Sequence, residues 1–296
     1  MAEIDKVRGL LTGLPRPVGW AERRARIEQV AAVDAPPPEI AFTSTTIAGI
    51  PAEWSTAPMA DARRVLLYLH GGGYCSGSIV SHRGLVSRAG QAAGMRALAL
   101  QFRLAPEHPF PAALDDARAA YEALLAEGIA PVDIAVGGDS AGGGLTLALM
   151  VSLRDAGRPL PGCGWLVSPW IDLAMTGATM DSKDAVDPLI HRGYLEELAA
   201  AYRGAASADH PLVSPLRAEL GGLPPILVQV GSAETLLDDA VRIAGRLGAA
   251  EVPVRLEVWP QMIHAWMLWA GRLAEGRQSL ASAGAFLRAR GLVAAG

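Results

Sequence analysis

The stretch 135–145, "AVGGDSAGGGL", sets five glycines around one serine, Ser140, between an apolar run and a helix-like run. Glycine weakens the interior of a strand or a helix, so the cluster needs a local reason. Three are available: a tight packing turn, a phosphate cradle, or a turn that exposes a nucleophile. No Lys-Ser/Thr pair follows the glycines, which removes the phosphate loop. Gly138, Ser140 and Gly142 fit G-x-S-x-G, the sharp strand-to-helix turn that holds a serine at the top of a sheet. The helix start at that point favours developing negative charge.

The run before the cluster is one of six. "VLLYL" (65–69), "RALALQF" (96–102), "DIAVG" (133–137), "GWLVS" (164–168), "PILVQV" (225–230) and "VRLEVW" (254–259) are short and mostly continuous in apolar residues. That is the texture of parallel strands buried on both faces. Helical segments lie between them, at 111–128, 141–157 and 236–250; the first opens with Pro and closes with Gly. The alternation predicts an α/β fold with a mostly parallel central sheet flanked by helices. Residues 39–56 alternate and carry β-branched side chains, which suits a strand pair. Residues 1–35 read as one or two helices broken by "GLPRP" (13–17), with "APPP" (35–38) as punctuation. Residues 172–222 lack a strand but carry "DPLIHRGYLEELAAAYRGA" (187–205), a helix expected to lie over the sheet's C-terminal edge. Open α/β sheets bind ligands at that edge.

The chain has 296 residues, and one domain spanning 1–296 is expected. Its net charge of −4 with interspersed signs advertises no nucleic acid or acidic membrane as partner. Two cysteines, Cys75 and Cys163, are too few for a disulfide framework and fit a reducing, cytoplasmic setting. The N-terminus lacks the continuous apolar core of a secretory signal, and no apolar run reaches a membrane-spanning length. No metal or organic cofactor is needed for the chemistry below. Self-association as a homodimer stays open.

A serine hydroxyl is a weak nucleophile until a base takes its proton, and in this type of fold the partners follow in the order Ser, acid, His. His191, His210 and His264 are the histidines after Ser140. His264, in "VWPQMIHAW", falls just after the last strand, where a base at the sheet edge belongs. His191 and His210 fall inside the insertion. The acid should follow the penultimate strand, where Glu234, Asp238 and Asp239 stand. Glu234 is closest to the strand end, and the two aspartates belong to the next helix. The oxyanion of acyl transfer needs N–H donors. His70-Gly71-Gly72-Gly73 follows the strand "VLLYL" and supplies them from Gly72 and Gly73, with Ala141 as third donor. Tyr74, Met262 and Trp266 flank these motifs and are read as pocket residues. Cys75 lies beside the glycines, but the partner pattern points at Ser140.

With these motifs in place the chain resembles the bacterial hormone-sensitive-lipase-like esterases of the α/β-hydrolase superfamily. The resemblance rests on "HGGGY", "FRLAPEHPFPAALDDA", "GDSAGG", "DHPLVSPL", "GLPPILVQVGSAE" and "WPQMIHAW", and runs from about Arg64 onward. It implies Ser140 as nucleophile, His264 as base, an oxyanion hole from Gly72, Gly73 and Ala141, and a cap built from about 1–38 and 172–222. Two departures stand out. Phe102 takes the place of a frequent Tyr, and Glu234 takes the place of a more frequent Asp, while "DPL" at 187–189 falls too early and reads as a cap element. The expected activity is hydrolysis of short- to medium-chain carboxylic esters. A lactone is a cyclic ester and would use the same groups, as would amide hydrolysis or acyl transfer. A ligand-binding receptor on this scaffold is the rival from another class; plant gibberellin receptors resemble the family but lack the histidine, which is present here.

Overall fold

The six apolar runs come out as six neighbouring parallel strands. In the computed structural model, which describes residues 2–13 and 17–289, the chain opens with α1 (Glu3–Thr12) and α2 (Gly19–Ala31). A strand pair follows, β1 (Ala41–Ile47) and β2 (Ile50–Thr56), then β3 (Asp61–Leu69), α3 (Ile79–Ala93) and β4 (Met95–Leu100). Next come α4 (Ala112–Ala126), β5 (Ile134–Asp139), α5 (Ala141–Asp155) and β6 (Cys163–Val167). The insertion carries α6 (Thr179–Ser182) and α7 (Arg192–Arg203). The chain then runs through β7 (Ile226–Gly231), α8 (Leu237–Ala249), β8 (Val254–Trp259) and α9 (Ala274–Arg288). Residues 14–16 of the expected break "GLPRP" lie outside the described residues.

The strands form one sheet in the order β1-β2-β4-β3-β5-β6-β7-β8. β1 pairs antiparallel with β2, and β2 with β4; every later pairing is parallel. The parallel strands therefore all end at one edge. The loops that carry HGGG, Ser140, Glu234 and His264 follow β3, β5, β7 and β8, and so share that edge.

Alternation along each strand separates two cores. Leu67 and Val136, in register, face α4 and α5, and Ile226 and Val228 continue that side toward α8. Leu66, Tyr68, Trp165 and Val167 face the other way, toward α1, α3 and α9. α7 buries Leu195, Leu198, Ala199 and Tyr202, a single stripe at helical spacing, into the α4–α5 side.

The two N-terminal helices do different work. α2 reaches α7: Arg23 pairs with Glu197 and lies over the Trp20 and Tyr194 rings at 4.9 and 5.0 Å. α1 instead buries Ile4, Val7 and Leu11 in the opposite core, and its Glu3 accepts the Ala274 N–H at the start of α9, 2.8 Å. Among the described residues no helix is long and apolar enough to cross a membrane.

A polar side chain sits inside β7. Gln229 is fully buried; its Oε1 accepts from Trp165 Nε1 (2.8 Å) and its Nε2 donates to Glu257 (2.7 Å) and the Ser279 carbonyl (3.1 Å). It ties β6, β7, β8 and α9 together. Gln229→Leu strands the buried Trp165 N–H, while the Ser279 carbonyl keeps its partner within α9. Urea denaturation should show stability lowered by about 1–3 kcal/mol, the cost of one orphaned buried group; an unchanged midpoint would count against this network.

Candidate active site

Ser140 is the residue between β5 and α5. Its φ of 54° and ψ of −122° lie where side chains rarely go, and such strain, about 1–3 kcal/mol, persists only when neighbours enforce it. Here the Ser140 N–H donates to Val167 O (2.8 Å), and its carbonyl accepts from Trp170 N–H (2.9 Å) and Gly144 N–H (3.1 Å). The flanking glycines answer a spatial need. A Cβ on Gly142 would stand 1.9 Å from Leu69 O, and one on Gly138 would stand 2.4 Å from Gly142 O. The turn therefore presses backbone against the end of β3, and only glycine leaves room.

The HGGG loop leaves β3 beside this turn. Asp139, next to Ser140, accepts from the Gly71 N–H at 3.0 Å and from the Tyr68 hydroxyl at 2.9 Å, and faces His82 Nε2 at 3.3 Å. One buried carboxylate thus fixes the glycine loop to the serine turn. Burial opposes its charge, but His82 and Tyr68 outweigh this and hold the carboxyl below its usual range. Sequence reasoning missed this role of Asp139 and missed His82, although Asp139 stood inside the quoted motif. His70 is buried against the Phe102 ring, with centroids 4.2 Å apart, and burial together with His82 pulls its pKa down to about 3. Its Nε2 has no partner among the described residues, so the imidazole beside HGGG is a neutral packing group.

The two remaining loops meet each other. His264 Nδ1 lies 3.0 Å from Glu234 Oε2, with both residues buried. Burial pulls the imidazole down, but the hydrogen bond and charge of Glu234, backed by Asp187 and Asp139, leave its pKa above the ordinary value. Burial pushes the Glu234 carboxyl up, against the opposing pull of His264 and the Gly231 N–H. The loops are cross-tied by Ala233 N–H to Met262 O (3.0 Å) and Gln261 N–H to Ser232 Oγ (2.8 Å). Asp238 and Asp239 are engaged elsewhere. Asp238 Oδ2 accepts the Thr179 N–H (3.1 Å), and Asp239 accepts the Ile171 and Asp172 N–H groups at 3.0 and 3.1 Å. Burial raises Asp239 to about 7. Asp187, from "DPL", accepts the Leu189, Ile190 and Thr235 N–H groups at 2.9–3.0 Å, and so fastens the insertion to the residue after Glu234.

The expected pocket residues divide. Tyr74 stacks on Tyr202 of α7 with centroids 3.6 Å apart. A Cβ on Gly73 would come 2.4 Å from Leu198 Cδ1, so α7 lies directly over the glycine loop. Met262 and Trp266 do not join them. Their side chains pack into the opposite core with Trp269, Leu280 and Leu287, because the loop after β8 turns its apolar side chains toward α9. His191 lies 2.8 Å from Asp184, and His210 Nδ1 accepts the Leu212 N–H at 3.2 Å; both belong to the insertion's own structure. Cys75 is buried and its thiol is pushed up to about 12, so it offers no thiolate near neutral pH. Among the described residues no group of His, Cys, Asp and Glu could hold a metal ion.

Residues 66–268 match a family model described as the alpha/beta hydrolase fold. An acetyl-hydrolase of Streptomyces hygroscopicus is 46% identical over 82% of this chain and 81% of its own length. An esterase of Acinetobacter venetianus is 34% identical over 84% and 82%. The crystal structure of an esterase from the bacterial hormone-sensitive lipase family superposes with a TM-score of 0.96 at 45% identity, covering 98% of both chains. A crystal of EstE5 soaked by p-nitrophenyl butyrate gives 0.94 at 41%, over 97% and 98%. The chain belongs to the bacterial hormone-sensitive lipase family of the α/β-hydrolase fold.

Proposed function

We propose that this chain is a serine carboxylic ester hydrolase that cleaves short- to medium-chain acyl esters through an acyl-enzyme on Ser140. The observation that carries the reading is the buried Glu234–His264 hydrogen bond, 3.0 Å, on the sheet edge that also bears the strained Ser140 turn. Relatives named acetyl-hydrolase and esterase support an ester as the substrate. A cytoplasmic setting suits two free, buried thiols.

In this mechanism Ser140 Oγ attacks the ester carbonyl and His264 accepts its proton. The imidazolium is held by Glu234, which fixes Nδ1 as the protonated nitrogen. The N–H groups of Gly72, Gly73 and Ala141 receive the charge that develops on the carbonyl oxygen. Collapse of the tetrahedral intermediate breaks the C–O bond, and His264 returns the proton to the leaving alcohol. Water then adds to the acyl-enzyme by the same path. A lactone would open in the same steps and leave its alcohol tethered to the acyl group.

The acid assignment and the base assignment are tested together. Glu234→Gln keeps the shape but removes the charge that stabilises the imidazolium, so kcat should fall steeply, by up to ~10⁴. Asp238→Asn should leave kcat within about threefold, because that side chain serves the Thr179 N–H. The base works only when neutral, and its neutral fraction grows with pH. A pKa raised by Glu234 therefore puts the acid limb of kcat/KM above pH ~6.5. In Glu234→Gln the raising cause is gone and burial remains, so the limb should move down. A crippled Asp238→Asn beside a normal Glu234→Gln would move the acid to Asp238.

Chain length tests the cap. We infer that α2 and α7 close the acyl site, since Leu198 lies over Gly73 and Tyr202 stacks on Tyr74. An enclosed site gains about 0.8 kcal/mol per buried CH₂ only until it is full. Turnover of monomeric p-nitrophenyl esters should peak between roughly C2 and C8; faster hydrolysis of C16 than C4 would mean the site is open.

A further inference from the structure

Ser168 is fully buried, immediately follows β6, and has no part in the mechanism above. Its φ of 42° is the left-handed region that non-glycine residues seldom occupy, and that conformation costs about 1 kcal/mol or more. The cost is sustained by an unusual set of partners. Its N–H donates to Gln229 O (2.7 Å). Its hydroxyl donates to Glu234 Oε1 (2.9 Å) and accepts the N–H of Ala265 (3.1 Å), the residue after His264. A backbone N–H can only donate, so the hydroxyl proton has one direction left, toward the carboxylate.

The neighbours of Ser168 extend the same pattern. Val167 O and Trp170 N–H hold the two sides of Ser140, at 2.8 and 2.9 Å. The tetrapeptide 167–170 therefore touches the serine turn, the acid loop and the histidine loop. A buried carboxylate with a free lone pair would rotate or take up a proton. Oε1 of Glu234 is pinned by the Gly231 N–H and the Ser168 hydroxyl, which leaves Oε2 for His264.

We propose that Ser168 is a positioning residue that fixes the Glu234 carboxylate against His264 and holds the histidine loop in register with it. The proposal rests on the triad reading given above. It predicts a coupling through Glu234 that a merely structural serine would not show.

The test is a double-mutant cycle on the full chain, with kcat and KM for p-nitrophenyl butyrate and a thermal melt for each variant. Ser168→Ala and Ser168→Gly should both lower kcat about 10- to 100-fold, the scale of one hydrogen bond to a charged group, with KM within about threefold. Glycine relieves the positive φ and alanine does not, so equal losses assign the effect to the hydroxyl. Where alanine fails to melt cooperatively, glycine carries the test. Ser168→Cys, a weaker donor of similar volume, should fall between. In a Glu234→Gln background the Ser168 change should cost less than about threefold, because the charge it positions has already been removed and only a neutral amide oxygen is left to accept its proton. Three results would overturn the proposal: kcat within threefold in every Ser168 variant, an equal loss in both backgrounds, or near-normal turnover in glycine beside a crippled alanine. A normal Glu234→Gln alone would instead remove the acid assignment on which the proposal stands.

Discussion

A carboxylate withdrawn from water must find other partners or give up its charge, and Glu234 is wholly buried. Its partners are His264 Nδ1, the Gly231 N–H and the Ser168 hydroxyl. Each comes from a different position along the sheet: the loop after β8, the end of β7 and the end of β6. The acid can stay in place only if those three segments end at the same level, and parallel strands in register provide that level. The serine turn depends on the same edge, since Val167 O at the end of β6 holds the Ser140 N–H at 2.8 Å.

A second carboxylate performs a matching task on the other side of the serine. Asp139 joins the HGGG loop to the serine turn through the Gly71 N–H, and α7 closes over that loop through Leu198 and Tyr202. Arg24 of α2 adds a brace from outside, donating to the carbonyls of Cys75 (2.9 Å) and Ala105 (3.1 Å). The insertion is also fastened by Asp187, which accepts the N–H of Thr235, the residue after Glu234. Segments distant in sequence are thus locked to the edge by hydrogen bonds from side chains to backbone groups, which demand position and tolerate little drift.

Much of this was legible in the chain, because parallel strands buried on both faces leave apolar runs that need no partner to be seen. The runs at 65–69, 133–137 and 225–230 fall inside β3, across the start of β5 and across β7. Counting from the strand end singled out Glu234 over Asp238 and Asp239, and it is Glu234 that lies beside His264. α3 and α9 escaped notice for a physical reason. Their buried faces carry Gly90, Gly276 and Gly284, where the backbone packs so closely that a Cβ would meet Ala97, Ala270 or Ala92 at 3.0 Å or less. Glycines and small polar residues thin the apolar stripe of these helices, which is carried by Leu85, Val86, Ala89 and Ala93 in α3 and by Leu280, Ala283 and Leu287 in α9. Met262 and Trp266 were misplaced because chain proximity to His264 does not say which way a loop turns its side chains. Ser168 and His82 left no signal at all: a single polar residue in an apolar setting reveals its partners only in three dimensions.

The central claim is that Ser140 is the nucleophile, and covalent capture tests it most directly. The full chain is treated with a fluorophosphonate, which labels a serine only when a base activates it, and the adduct is located by peptide mass spectrometry alongside residual ester hydrolysis. The account predicts one adduct per chain, on Ser140, appearing in step with loss of turnover, and no labelling of Ser140→Ala. Complete inactivation with the label on another residue, or full labelling of Ser140 with hydrolysis undiminished, would contradict it.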